Sequence, residues 1–157
     1  MPTASLVYML MGIALVMVMA ILNRNILTRG GFSLLEGLYW LTAVAGLSIG
    51  WYFNLQYIAQ YGAKAGWAHW IGLLFVNPAS ASGGQDLIIA NALIFPVWTI
   101  VEARRAGMRG GWLYFPMSAL TSYAFGLAAF LALRERRLRI AADAGTCRQD
   151  DLYSALP

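Results

Sequence analysis

The stretch that most constrains the fold is an uncharged run from Leu87 to Val101, with Asp86 before it and Glu102 after it. At a helical rise of about 1.5 Å per residue, the two carboxylates would lie roughly 24 Å apart. That separation approaches the hydrocarbon thickness of a bilayer, about 30 Å. The run therefore predicts a membrane span over about residues 84–103, with one carboxylate at each end.

Local signals predict where this central helix begins, bends and makes contacts. The Ser82-Gly-Gly-Gln motif is a capping-box pattern and predicts a helix start at Ser82. Pro96 has no backbone N–H and is expected to kink the helix. Asn91, Trp98 and Glu102 follow one another at seven and four residues and therefore share one helix face. This face is expected to meet another helix, with Asn91 as a hydrogen-bonding residue.

The composition extends the same prediction to most of the chain. Of its 157 residues, 60% are hydrophobic and only 11% are charged, whereas about 25% of the residues of a soluble domain are charged. The uncharged runs predict an all-α integral membrane protein with a single domain over residues 1–140. Four transmembrane helices are expected at about residues 6–22, 34–54, 84–103 and 112–133, and a polar, mobile tail at 141–157.

The segment between the second and third predicted helices is too short to cross a bilayer. Its apolar part, Trp67–Val76, has about ten residues, so an interfacial or re-entrant element is favoured. With four spans, the loops at 23–33 and 102–111 share one side, and the cluster Arg134–Arg139 lies on the other. A short fifth span at 67–76 is the alternative, and it would bring Arg24 and Arg29 together with the cluster Arg134–Arg139. The basic residues balance across the four-span arrangement and leave the sidedness open.

The net charge of +4 does not indicate nucleic acid as a partner. The arginine clusters adjoin apolar helices, where they suit lipid phosphates. Cys147 is the only cysteine, so neither an internal disulfide nor a cysteine metal cage is predicted. The sequence also has no phosphate loop, nucleophile elbow or paired-histidine metal motif. No metal site and no cofactor are predicted.

Two rows of small residues predict close helix packing. Such rows let helix backbones approach one another in a membrane. The first row is Thr42, Gly46 and Gly50, and the second is Ser118, Ser122 and Gly126, each at four-residue spacing. They are expected to pack against another membrane protein or a second copy of the chain.

Asp86 is the sharpest candidate for chemistry. An acid beside an apolar helix is a candidate proton donor, although a carboxylate at that position also complements a helix N-terminus. Nearby polar and aromatic residues predict a ligand pocket at one membrane face. Its candidate residues are Trp51, Tyr52, Asn54, Trp67, His69, Asn91 and Trp98. His69 alone is a candidate haem or pigment ligand, but an amphipathic histidine among interfacial aromatic residues is the simpler interpretation.

Several motifs together resemble an uncharacterised bacterial domain-of-unknown-function family of small polytopic membrane proteins. The motifs are WYFNL at 51–55, NPA at 77–79, DL at 86–87, WTIVEARRAGMR at 98–109 and SYAFGLAAFLALRERR at 122–137. The resemblance extends roughly from Ala45 to Leu138. It implies three or four helices and a location in the bacterial cytoplasmic (inner) membrane. It assigns no substrate and no catalytic residue.

Two functions follow as expectations. The first is a non-enzymatic accessory or assembly subunit, or a binder of a lipid-like ligand, surrounded by the bilayer. The alternative is a small membrane enzyme that acts on an apolar, isoprenoid-like substrate. In that enzyme Asp86 would be the general acid, and aromatic faces would stabilise a carbocation. A transporter is disfavoured because the spans are few and no inverted repeat is evident.

Overall fold

The computed structural model describes the backbone of residues 3–154 and the side chains of residues 6–145, and the fold in this part of the chain is all-α, as predicted. The helices are α1 Thr3–Leu22, α2 Arg24–Leu27, α3 Leu34–Tyr61, α4 Trp67–Leu73, α5 Pro78–Ile89, α6 Phe95–Arg105, α7 Tyr114–Leu120 and α8 Tyr123–Ser154. Short 3-10 turns occupy Gly62–Lys64 and Gly111–Leu113, and a π-turn at Ala90–Ile94 joins α5 to α6.

The last apolar segment is a helical hairpin, whereas the sequence predicts one continuous helix over 112–133. The rings of Tyr114 and Phe130 lie 4.9 Å apart, although in a continuous helix these residues would be separated by roughly 24 Å. The chain reverses at Thr121 and Ser122, between α7 and α8. Thr121 leaves the helical conformation, with φ −119° and ψ −83°, and its hydroxyl donates to the carbonyl of Met117 at 2.6 Å.

The α7–α8 hairpin forms the centre of the core. Its fully buried side chains are Tyr114, Met117, Ala129, Phe130, Ala132 and Leu133. Helix α3 runs antiparallel along α8, since Gly46 lies against Ala124 and Gly50 against Ser122. Helix α1 packs along α7, and α6 contacts both arms of the hairpin. The other helices are therefore arranged around the hairpin, and the central helix of the sequence is peripheral to it.

The helix α5 begins four residues before the predicted start. Asn77 is the N-cap, and its side-chain oxygen accepts from the backbone N–H of Ser80 at 2.9 Å. Pro78 takes the first helical position, where its missing N–H costs nothing, so Ser82 lies inside the helix. Further along, a π-turn precedes Pro96: the N–H of Phe95 donates to a carbonyl five residues back. The helix thus accommodates the proline by widening one turn.

Nine arginines meet at one end of the bundle. We call this the basic end; its arginines are Arg24, Arg29, Arg104, Arg105, Arg109, Arg134, Arg136, Arg137 and Arg139. The prediction that Arg134–Arg139 lie opposite the loops 23–33 and 102–111 is wrong, because the hairpin returns α8 to the end where α7 began. The other end, which we call the far end, holds the C-terminus of α3, all of α4 and the start of α5, with Lys64, His69 and Asp86.

Two helical stretches are long and apolar enough to cross a membrane, namely Leu34–Lys64 and Pro78–Arg105. Only 11% and 17% of their most apolar windows are buried, so most residues of both windows are at least partly exposed. A shorter apolar helix covers Leu6–Leu22. Beyond the core, α8 continues to Ser154, so the segment predicted as a polar, mobile tail is helical that far; residues 155–157 and the side chain of Cys147 lie outside the described part.

Candidate functional site

Glu36 is the most deeply buried charged side chain at the basic end. Its side chain is 1% exposed and forms ion pairs with two arginines of α8. Arg136 approaches one carboxylate oxygen at 2.7 Å, and Arg139 approaches the other. The indole N–H of Trp40 donates to the first oxygen at 3.2 Å. A buried carboxylate is costly unless it is paired and hydrogen-bonded, and here both oxygens have partners.

Local sequence places Glu36 where these arginines reach it. Ser33 is the N-cap of α3, and its hydroxyl accepts from the backbone N–H of Glu36 at 3.1 Å. Helix α3 therefore begins beside the charged part of α8. Arg136 also donates to the backbone carbonyl of Leu27, so one guanidinium connects α8 to α3 and to the short helix α2.

Glu102 connects α6 to α8 at the same end. Its carboxylate accepts from Arg105, one turn along α6, at 2.8 Å. The other oxygen accepts two N–H groups of Arg134 at 2.9 and 3.1 Å. The Arg105 side chain is 73% exposed, and exposed ion pairs contribute little to stability. The Arg134 contact joins residues 32 apart and is the one that fixes two helices together.

A cavity of about 250 Å³ opens beside these ion pairs. Three arginines line it: Arg29, Arg109 and Arg137. Asn23 and Asn25 contribute polar groups, and Leu22, Ile26 and Ile140 contribute apolar walls. Within the described part of the chain, none of the three lining guanidiniums has a carboxylate partner. The basic end thus contains two neutralised carboxylate clusters and one positively charged cavity.

Asn23 fixes one wall of this cavity. It is 2% exposed, and its side-chain amide donates to the carbonyls of Met19 and Arg109 at 3.0 and 3.1 Å. Its side-chain oxygen accepts from the backbone N–H of Arg109 at 3.3 Å. The end of α1 is thereby held against a residue 86 positions away. The backbone of Arg109 is positioned, while its guanidinium remains available to the cavity.

Gly107 also lines the cavity. Its φ of +65° belongs to the left-handed region that glycine adopts at little cost. A Cβ at this position would lie 3.2 Å from a guanidinium nitrogen of Arg137. The turn in the WTIVEARRAGMR motif therefore leaves Arg137 room to lie along the backbone at the cavity edge.

The residues predicted to form a pocket around Asp86 do not line this cavity. Asp86 is exposed, and its carboxylate accepts from the side chain of Gln85 at 3.1 Å. Tyr52 and Trp67 are 58% and 45% exposed. Trp51 and Asn54 are half-buried on the part of α3 that extends beyond the hairpin. No contact described for these side chains brings an aromatic face onto the Asp86 carboxylate.

His69 is held in a local cluster at the far end. Its Nδ1 lies 2.9 Å from the hydroxyl of Tyr57, and its ring lies 4.6 Å from that of Tyr61. The same hydroxyl accepts from the N–H of Gly66 at 3.0 Å, so the cluster closes the turn between α3 and α4. Among the described side chains, no group of three or more His, Cys, Asp and Glu is suited to a metal ion.

Asn91 and Trp98 lie against the hairpin. The hydroxyl of Ser118 donates to the side-chain oxygen of Asn91 at 2.7 Å, and the ring of Trp98 contacts that of Phe130 at 5.0 Å. Together with the Glu102–Arg134 pair, these contacts place the Asn91–Trp98–Glu102 face of the central helix on α7 and α8. These residues hold the fold together.

Both rows of small residues pack inside the chain. Cβ atoms added at Gly46 and Gly50 would lie 2.8 Å from the Cβ of Ala124 and 3.0 Å from that of Ser122. A Cβ added at Gly126 would lie 2.7 Å from the Cβ of Ser118. The first row therefore packs α3 on α8, and the second packs α7 on α8. The glycines of both rows are thus occupied within the chain, whereas Thr42 is exposed.

Sequence reasoning missed Glu36 and the cavity. Glu36 reads as an ordinary acid in the first turn of a helix, and its partners are a hundred positions away. One signal was available: Glu36 and Glu102 both adjoin apolar helices, and the Arg134–Arg139 cluster contains enough positive charge to pair with both. The continuous-helix prediction for 112–133 placed that cluster at the wrong end and concealed the pairing.

The family model described as "Protein of unknown function DUF2834" matches residues 38–136, which is more than half of the chain. The chain belongs to this family. The match begins in the first turns of α3 and ends at Arg136 of α8, so it contains the hairpin and the helices packed on either side of α8, while α1 lies before it. No curated protein and no solved structure matches the chain.

Proposed function

We propose that this DUF2834 member is an integral membrane protein of the bacterial cytoplasmic membrane that binds lipid as a non-enzymatic accessory subunit. The observation that supports this most is the outward apolar surface of the long helices. Large side chains such as Leu41 on α3, Val97 on α6 and Met17 on α1 are each at least 59% exposed. Water would solvate such a surface poorly, and lipid chains match it.

The helix arrangement favours three full spans and one re-entrant hairpin over four full spans. Helices α1, α3 and α5–α6 are the spans, and α7–α8 enters and leaves at the basic end. Glu36 and Gly50, which lies beside the hairpin bend, are roughly 21 Å apart along α3. A bilayer core is about 30 Å thick, so the bend would lie inside it. Backbone that departs from a helix is tolerated there when protein covers it, and Gly12 and Gly50 pack closely against this bend.

The charge distribution supports an orientation with the basic end in the cytoplasm. Nine arginines lie at that end, and Lys64 is the only lysine or arginine among the described side chains of the far end. Loops rich in lysine and arginine remain cytoplasmic. Under this proposal the start of α1 faces the periplasm, and α8 extends into the cytoplasm.

The accessory role is inferred from the helix faces that remain exposed for contact with a lipid or another protein. Because both rows of small residues are occupied within the chain, lipids, a second copy or another membrane protein would meet the outer faces of α1, α3 and α6. The enzyme alternative is less well supported, since Asp86 is exposed and bonded to Gln85.

Cysteine labelling tests the membrane topology. Cys147 is one probe, and Gly31→Cys and Ala63→Cys in a Cys147→Ser background are the others. Nothing lies within 4 Å of a Cβ at Gly31, so that substitution is tolerated. In intact spheroplasts an impermeant maleimide should label Ala63→Cys only. In inside-out vesicles it should label Cys147 and Gly31→Cys instead. Labelling of Cys147 and Gly31→Cys from opposite faces would restore the four-span arrangement, and a protein that stays monodisperse without detergent would refute membrane insertion.

Native mass spectrometry of the detergent-purified protein tests the function. A bound lipid, a second copy or a co-purified membrane protein is expected. A strictly monomeric protein with no associated lipid or protein would argue against both the accessory and the lipid-binding role.

A further inference from the structure

The cavity at the basic end is the feature that the proposed function does not yet use. Four arginines of this end, Arg105, Arg134, Arg136 and Arg139, pair with Glu36, Glu102 or Glu135. The three that line the cavity have no carboxylate partner within the described part of the chain. Three like charges around one space repel one another, and an anion among them would offset that repulsion.

We propose that Arg29, Arg109 and Arg137 form a binding site for a phosphate group. A guanidinium presents its N–H donors in a planar fork that fits two oxygens of a phosphate. Three such groups would surround its charge from the loop after α2, the loop after α6 and α8. The volume of about 250 Å³ accommodates a phosphate and a few further heavy atoms.

The three arginines are brought together by built contacts. Asn23 holds the backbone of Arg109 through two hydrogen bonds, and a third anchors Asn23 to the carbonyl of Met19 in α1. Gly107 leaves space for Arg137 at the cavity edge. Arg29 precedes Gly30, whose φ is +81° and which lies against Ile140 of α8. Each arginine thus comes from a segment that is fixed to a neighbouring helix.

The cavity walls are compatible with two sources of the phosphate. Leu22, Ile26 and Ile140 would contact the glycerol and first methylene groups of an anionic phospholipid whose headgroup occupies the site. A soluble phosphate would use the arginines and Asn25 alone. The shared chemistry is the phosphate, and the lipid source alone depends on the proposed membrane location.

Binding measurements on the purified full-length protein in a neutral detergent test the site. The probes are phosphatidylglycerol, phosphatidylcholine and inorganic phosphate, with affinity followed by the rise in melting temperature and by native mass spectrometry. The variants are Arg137→Gln, Arg109→Gln and Arg29→Gln, alone and together. Arg104→Gln is the matched control, because it removes the same charge from an exposed arginine at the same end that does not line the cavity.

Phosphatidylglycerol or inorganic phosphate should bind the native protein, and Arg137→Gln should weaken that binding about tenfold. The triple variant should lose it, while Arg104→Gln should stay within about twofold. Binding of phosphatidylglycerol but not of inorganic phosphate assigns a lipid headgroup, and binding of inorganic phosphate alone assigns a soluble ligand. Equal losses for Arg104→Gln and Arg137→Gln, or no binding of any anion, would overturn the site.

Stability without ligand separates binding from a structural role. Because the three cations repel one another, each Arg→Gln variant should melt no lower than the native protein in phosphate-free detergent. A variant that fails to fold there would show that the arginine holds the structure, and it would overturn the proposal. A water-soluble protein with arginine-dependent phosphate binding would refute membrane insertion and leave the phosphate site intact.

Discussion

The two ends of this bundle carry similar polar residues but use them in opposite ways. At the basic end, Glu36 and Glu102 are covered, and they join α8 to α3 and to α6 through Arg136, Arg139 and Arg134. At the far end, Asp86 is exposed and bonds only to its neighbour Gln85. His69 closes a local turn within residues 57–69. The carboxylates beside apolar helices thus join helices at the basic end, whereas the carboxylate of Asp86 at the far end is exposed to solvent.

The difference arises from the hairpin. Its bend lies level with Gly50 of α3, so α8 accompanies only the basic half of α3. The far halves of α3 and α5 extend beyond the bend, and Gln56, Gln60 and Asp86 are exposed there. Long-range charge pairs form where three helices converge, and the comparison therefore predicts unequal consequences for equivalent substitutions at the two ends.

The largest expected contrast is between Glu36→Gln and Asp86→Asn. Removing the Glu36 charge leaves the half-buried Arg136 without a carboxylate and Arg139 with the longer contact to Glu135 at 3.8 Å, which should lower the free energy of unfolding by about 3–5 kcal/mol. Asp86→Asn removes an exposed charge and should change it by less than about 0.5 kcal/mol. Denaturant unfolding in detergent micelles measures both. Equal effects would remove the distinction between the two ends.

The next contrast compares two glycines in helices. Gly126→Ala inserts a Cβ 2.7 Å from that of Ser118 and should cost about 1–3 kcal/mol, because overpacked cores must shift. Gly83→Ala meets nothing within 4 Å and should be neutral or stabilise the helix by up to about 1 kcal/mol. Combining Gly126→Ala with Ser118→Gly should recover part of the loss. An unaffected Gly126→Ala protein would contradict the close packing of α7 on α8.

The smallest expected effect concerns the hydrogen bond between Asn91 and Ser118. Its donor and acceptor lie 2.7 Å apart, and the Ser118 hydroxyl lies equally close to the carbonyl of Phe115. Sharing one proton weakens the contact, so a double-mutant cycle with Asn91→Ala and Ser118→Ala should give a coupling of about 0.6–1 kcal/mol. A coupling of zero would mean that the central helix is held on α7 by apolar packing alone.

Much of the helical layout follows from local sequence. The uncharged runs 1–23, 37–63 and 87–101 predict three of the helices, because an apolar stretch of that length is typical of a helix that could cross a membrane. Asn77-Pro78 is also a readable helix start, since proline is favoured at the first helical position. The capping-box pattern at Ser82 predicts a different helix start, which lies four residues after the observed one at Pro78.

The hairpin could not be predicted from residues 112–133 alone. The stretch has no charge, and its only proline, Pro116, lies within α7, so nothing local breaks the helix at Thr121. The reversal is determined by tertiary packing: Gly12 and Gly50 let α1 and α3 approach the bend, and Gly126 lets the two arms meet. The Glu36 ion pairs and the arginine-lined cavity depend on this reversal, so they could not be predicted from the sequence either.

The ion pairs of Glu36 also impose an order of events during synthesis. The carboxylate leaves the ribosome a hundred residues before its arginines, an interval of about 5–20 s at usual elongation rates. During that interval α3 carries a charge that α8 has not yet neutralised. The native ion pairs of Glu36 therefore form only after the C-terminal arginines have emerged, and a chain that ended before Arg136 would lack both of them.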